Sequence, residues 1–84
     1  MGDLGDLKVL DLRGLKCPLP ALLAKRHLVR AEPGEAIMIL ADDPLASVDI
    51  PHMCHREGFA VLGLIESGPE TRITVCSRPG APVS

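Results

Sequence analysis

A chain of 84 residues has room for one domain around one modest core; 46% of it is hydrophobic, yet it holds one Phe and no Trp or Tyr, so aliphatic side chains must fill that core. The shortage of aromatics excludes base-stacking platforms, and a formal net charge of -2 argues against direct nucleic-acid binding. The start MGDLGDLKVL lacks the basic and apolar regions of a secretory signal, and no apolar run approaches the roughly 20 residues that cross a bilayer, so a cytoplasmic monomer without membrane contact is expected.

KVLDL (8–12) is a short β-rich run that ends at Arg13-Gly14. Pro18 then supplies the fixed φ of a first helical turn, and Pro20 fits the same turn, where backbone N–H groups have no intrahelical partner. ALLAKRHLVRA continues the helix through good helix formers until Pro33-Gly34, which gives a helix over roughly Pro18 to Ala31. EAIMILA (35–41) is nearly continuous apolar and reads as a strand flanked by parallel neighbours. In DDP, Asp43 and Pro44 read as cap and first-turn residue of a second helical region. Ile50-Pro51 breaks that region, and Asp49 recaps a short helix through IPHMCHRE that ends at Gly58.

FAVLGLIE and TRITVCS are two further strands joined by the turn SGPE, and the tail RPGAPVS (78–84) is expected to be loose. The order βαβαββ predicts an α/β (α+β) two-layer sandwich, with a four-stranded mixed sheet and two helices on one face. A single domain over 1–84 with an ordered core of about 8–78 follows.

Within this frame Cys17 stands out. From Lys8 to Arg30, six basic residues (Lys8, Arg13, Lys16, Lys25, Arg26, Arg30) face only Asp11, so the thiol lies in a basic segment. At a helix start it meets unpaired N–H groups and the positive end of the helix dipole, with Lys16 and Arg13 adding to both. The expected result is a thiol pKa lowered to about 7 or below from a free value near 8.5. Gly14 turns the chain and Pro18 stiffens it, so the sulfur is presented to solvent.

The other candidates are weaker. Three cysteines at irregular spacing fit reduced thiols rather than a disulfide framework. Cys54 keeps helical phase with Ile50 and Met53 and reads as a buried, inert thiol, while Cys76, in phase with Arg72 and Thr74, belongs on the less covered sheet face. In HMCH, His52 and His55 share a helical face that Cys54 does not, so no metal site is expected. His27 reads as a solvated side chain. The chain shows no glycine-rich phosphate loop, no Ser/His/Asp arrangement and no paired carboxylate motif, since Asp42-Asp43 reads as turn and cap; no cofactor is expected.

DLRGLKCPLP, with DDP and DIPHMC downstream, closely resembles the TusA-like (SirA/YeeD) family of small sulfur carriers over roughly residues 8–78, with Asp11, Gly14, Cys17, Pro18 and Pro20 as the signature. The resemblance implies a cytosolic protein whose Cys17 accepts sulfane sulfur as a persulfide from a cysteine desulfurase or rhodanese-like donor and hands it to an acceptor protein. Destinations in the family include tRNA 2-thiolation, molybdoenzyme maturation and sulfur oxidation. Such a relay needs one thiolate and an exposed site, with no metal or organic cofactor. The competing reading is a non-catalytic thiol switch or regulatory adaptor.

Counted at about 100° per residue, Leu19, Leu23, Arg26 and Arg30 share one stripe of the first helix, with Ala21, Ala24, Leu28 and Ala31 largely opposite. If the alanine side packs on the sheet, the leucines and arginines flank Cys17 in solvent as a docking stripe for acidic partners.

Overall fold

A computed structural model describes residues 7–77, so the expected loose tail lies outside the described residues. The elements are β1 (Lys8–Asp11), α1 (Leu19–Arg30), β2 (Ala36–Ala41), α2 (Ala46–Glu57), β3 (Ala60–Ser67) and β4 (Glu70–Cys76), in the expected order βαβαββ. They form one mixed four-stranded sheet in the order β1-β2-β4-β3. Because α1 carries the chain back across the sheet, β1 and β2 run parallel, whereas β4 pairs antiparallel with both β2 and β3.

Strand β2 therefore lies between one parallel and one antiparallel neighbour, not two parallel ones. Its burial alternates: Ile37, Ile39 and Ala41 are buried under the helices, while Ala36, Met38 and Leu40 are half-buried on the outer face. The unbroken apolar run reflects that outer face, where a second set of aliphatic side chains lies.

The core forms where β2 and β4 lie side by side, with Ile37 opposite Val75 and Ile39 opposite Ile73. Ala24 and Leu28 of α1 and Ile50, Met53 and Cys54 of α2 close over it, and Phe59, the single aromatic residue, is buried there too. The alanine side of α1 does pack inward, since Ala24 and Leu28 are buried and Ala21 and Ala31 are half-buried against the core.

Helix α2 runs without a break through Pro51, against the expectation of a short recapped helix. Proline inside a helix costs about 3 kcal/mol, through one lost hydrogen bond and a ring clash. Burial of Ile50, Met53 and Cys54 on both sides of the proline offsets this, at about 1.5–3 kcal/mol for each large apolar side chain. Asp49 is consequently not a cap. It sits in the first turn of a continuous helix, which ends at Gly58 with φ +87°.

Candidate active site

Parallel β1 and β2 deliver their C-terminal ends side by side, and the segments that follow them meet there. From β1, Leu12 is buried and its N–H donates to the Leu40 carbonyl at 2.8 Å, which extends the pairing by one residue. Gly14 then adopts φ +88°, a conformation that a side chain would strain, and the chain turns towards Cys17. The Gly14 N–H donates to Asp42 Oδ1 at 2.9 Å, and the Cys17 N–H donates to Asp43 Oδ2 at 2.7 Å. Asp43 is buried, so its carboxylate is a fixed anchor. Although Asp42 and Asp43 read as a turn and a cap in the sequence, the N-cap of α2 is Leu45, without a side-chain hydrogen bond. Both carboxylates instead grip the neighbouring loop.

Helix α1 begins one residue later than expected, at Leu19, with Pro18 as its N-cap and Pro20 buried in its first turn. The Cys17–Pro18 peptide is cis. Cys17 is exposed, and its Sγ donates to Asp49 Oδ2 of α2 at 3.0 Å.

That contact overturns the expectation of a lowered thiol pKa. The hydrogen bond to Asp49 favours the protonated thiol, and some loss of solvation together with the charges of Asp49 and Asp43 adds to it, so the Cys17 pKa is raised. The helix start offers few donors to a thiolate: Pro18 and Pro20 have no N–H, and that of Leu19 donates to the Lys16 carbonyl at 2.8 Å. The Arg13 charge is spent. Its guanidinium grips Asp11 through two bonds of 2.9 and 2.8 Å and lies 3.6 Å from Glu70. Lys16 is exposed.

Asp11 also accepts the Arg13 N–H at 3.1 Å, so this signature residue holds the start of the loop. The hydrogen bonds from Arg13 keep its carboxyl at about 2. A lowered carboxylate pKa means that this tie is fully formed above the ordinary carboxylate range and is lost only as pH falls through about 2.

The other two thiols lie elsewhere. Cys54 is buried in α2 and burial alone pushes it up to about 11, so it stays a thiol at neutral pH. Cys76 is half-buried on the outer sheet face, in register with Ala36 and Ala60. His52 and His55 are exposed while Cys54 points inward, and among the described residues no cluster of three His, Cys, Asp or Glu is placed to hold a metal ion. His27 is half-buried rather than fully solvated.

Over residues 8–77 the sequence matches the family described as sulfurtransferase TusA. The chain belongs to the TusA family. Among solved structures, a SirA-like protein from Desulfitobacterium hafniense superposes with a TM-score of 0.73 at 20% identity, covering 86% of this chain and 99% of that one. This likeness concerns the fold. In this TusA-family chain, Asp11, Gly14, Cys17, Pro18 and Pro20 all fall in or beside the loop between β1 and α1. Asp42, Asp43 and Asp49 complete the site from across the β1/β2 boundary. Along the chain DDP has the pattern of local capping; the signal that finds these residues is topological, because whatever follows one parallel strand meets whatever follows its neighbour.

Exposed apolar side chains lie at the starts of the two helices that flank the Cys17 loop. Leu19 and Leu22 of α1 are 44% and 55% exposed, and Leu45 and Val48 at the start of α2 are 51% and 63% exposed. Of the expected stripe, Arg26 and Arg30 are exposed with Leu19, but Leu23 is half-buried against the core and Leu22 takes the solvent position. Leu23, Arg26 and Arg30 line an open groove of about 1020 Å³ with Lys8, His27 and Glu35, beside the free edge of β1. Among the described residues no helix is long and apolar enough to cross a membrane.

Proposed function

We propose that this TusA-family protein relays sulfane sulfur as a persulfide on Cys17, taking it from a cysteine desulfurase or rhodanese-like donor and giving it to an acceptor protein's thiol. The observation that carries this reading is the exposed Cys17 thiol, whose backbone and sulfur are each held by a carboxylate from the adjoining segment. In the loading step Cys17 Sγ attacks the terminal sulfur of the donor R–S–SH. The new Sγ–S bond forms as the donor S–S bond breaks, the electron pair leaves on the donor sulfur, and that sulfur takes a proton as R–SH. No net oxidation occurs, and no metal or organic cofactor takes part. Hand-over repeats the exchange with Cys17 as the leaving group. A reducing compartment such as the cytoplasm suits three free thiols.

The test is loading by a cysteine desulfurase supplied with free cysteine, followed by peptide mapping. One added sulfur is expected, on the Cys17 peptide alone. Equal labelling of Cys54 or Cys76 would reject the assignment.

The arginine groove orients the partner. Arg26 and Arg30 have no ion-pair partner among the described residues, whereas Lys8 is held by Glu35 at 2.8 Å. An acidic partner segment gains most from these two free charges. Reversing both (Arg26→Glu with Arg30→Glu) is expected to slow loading from the desulfurase about 10-fold at low salt, with the deficit shrinking as salt screens the pair. An unchanged rate and salt dependence in the folded variant would move docking elsewhere.

A further inference from the structure

Three aspartates meet at the Cys17 loop, and they divide the work. Asp42 takes the Gly14 N–H and buried Asp43 takes the Cys17 N–H, so both are committed to backbone. Only Asp49 addresses the sulfur. Its backbone is fixed in α2, because its own N–H donates to the Leu45 carbonyl at 2.8 Å and its neighbour Ile50 is fully buried in the core. It is half-buried, and no cation lies within ion-pair distance of it among the described residues. The apolar side chains of Leu45 and Val48 share the first turns of α2 with it.

We infer that Asp49 clamps the Cys17 proton in the free protein, and that a sulfur donor releases it by presenting a cationic side chain to this carboxylate as it docks on the apolar rim. This rests on the sulfur-relay reading above. A carboxylate with no cation of its own, set inside a docking surface, is complementary to a positive group on the partner. Pairing weakens its hold on the thiol proton, which passes to solvent; Sγ then attacks the donor sulfur, and the departing donor thiolate takes a proton back from water. The unloaded protein is therefore slow towards stray electrophiles and reacts where a donor has docked. The ionisable groups that act on the sulfur are Asp49 from α2 and Asp43 from the segment after β2; Asp42 holds the Gly14 N–H, and Arg13 and Lys16 lie in the same loop as Cys17.

The experiment compares the full chain with Asp49→Asn and Asp49→Glu in two reactions. In the first, alkylation by iodoacetamide is followed across pH. Asp49→Asn should react about 10-fold faster near pH 7, with its profile levelling off about one unit lower and reaching the same plateau, while Asp49→Glu stays close to the natural chain. In the second, loading from a cysteine desulfurase should show a KM raised several-fold for Asp49→Asn. An unchanged alkylation profile, or a gain of the same size at every pH, overturns the clamp; an unchanged KM overturns the cationic contact. If the natural chain takes no sulfur from the desulfurase while the alkylation profiles shift as expected, the clamp stands and the relay reading falls.

Discussion

Cys17→Ser is expected to take up no sulfur at all from a desulfurase while unfolding at the same denaturant concentration as the natural chain. Serine differs from cysteine by one atom, and its hydroxyl can donate to Asp49 as the thiol does, so the loop keeps its bond across to α2. The anchor through the Cys17 N–H to Asp43 is backbone and survives any substitution that leaves the loop in place. Stability should thus change by no more than about 0.5 kcal/mol, the usual range for exposed positions. A hydroxyl, however, is a far weaker nucleophile than a thiolate and forms no persulfide, so the chemical loss should be complete. Loading that persists would identify a second acceptor thiol. A folded variant that fails to load yet supports every partner function in the cell would favour the adaptor reading over the relay.

The two ends of α1 lie in opposite charge environments. At its start, Cys17 sits among carboxylates and exposed leucines; towards its end, Arg26 and Arg30 face the groove beside β1. A partner with a cation near its own sulfur and an acidic segment farther off fits in one orientation only. Reversing it brings like charges together at both ends, which costs more than either attraction gains.

Much of this was legible in the sequence because it is local. Gly14, Pro18 and Pro20 encode a turn and a helix start by their own stereochemistry, and the period of ALLAKRHLVRA sends Ala24 and Leu28 inward whatever lies opposite. Pro51 misled because its cost is local while the burial of Ile50, Met53 and Cys54 that offsets it is tertiary. The thiol pKa escapes the sequence for a related reason. Residues 8–30 are basic along the chain, but the sulfur takes its environment from Asp43 and Asp49, which lie 26 and 32 residues away in sequence. Leu23 shows the limit of helical phase: it lies at the edge of the exposed arc, and only the actual contact with the core decides which way it leans.

Ile39→Ala should have the largest effect on stability. Ile39 is fully buried near the middle of β2, with Leu10 of β1 and Ile73 of β4 as its register neighbours, so every side of the cavity left behind belongs to the sheet or the helices packed on it. Removing the equivalent of three methyl(ene) groups from such a site costs about 2–5 kcal/mol, and a rigid sheet centre that cannot collapse belongs at the upper end, about 4 kcal/mol. Set against the roughly 0.05–0.15 kcal/mol per residue typical of folded domains, a protein of 84 residues has about 4–13 kcal/mol in all. The variant would therefore lose between a third and nearly all of its stability. Denaturant titration should show a large fall in midpoint with little change in slope, and Ile39→Val, which leaves most of the volume filled, should cost only about 1 kcal/mol. Because β2 runs directly into Asp42 and Asp43, the same variant should also loosen the grip on the Cys17 loop, seen as faster exchange of the Gly14 and Cys17 amide hydrogens. A loss below about 1 kcal/mol for Ile39→Ala would mean that the sheet closes over the gap, and that the core at the middle of β2 is softer than its burial implies.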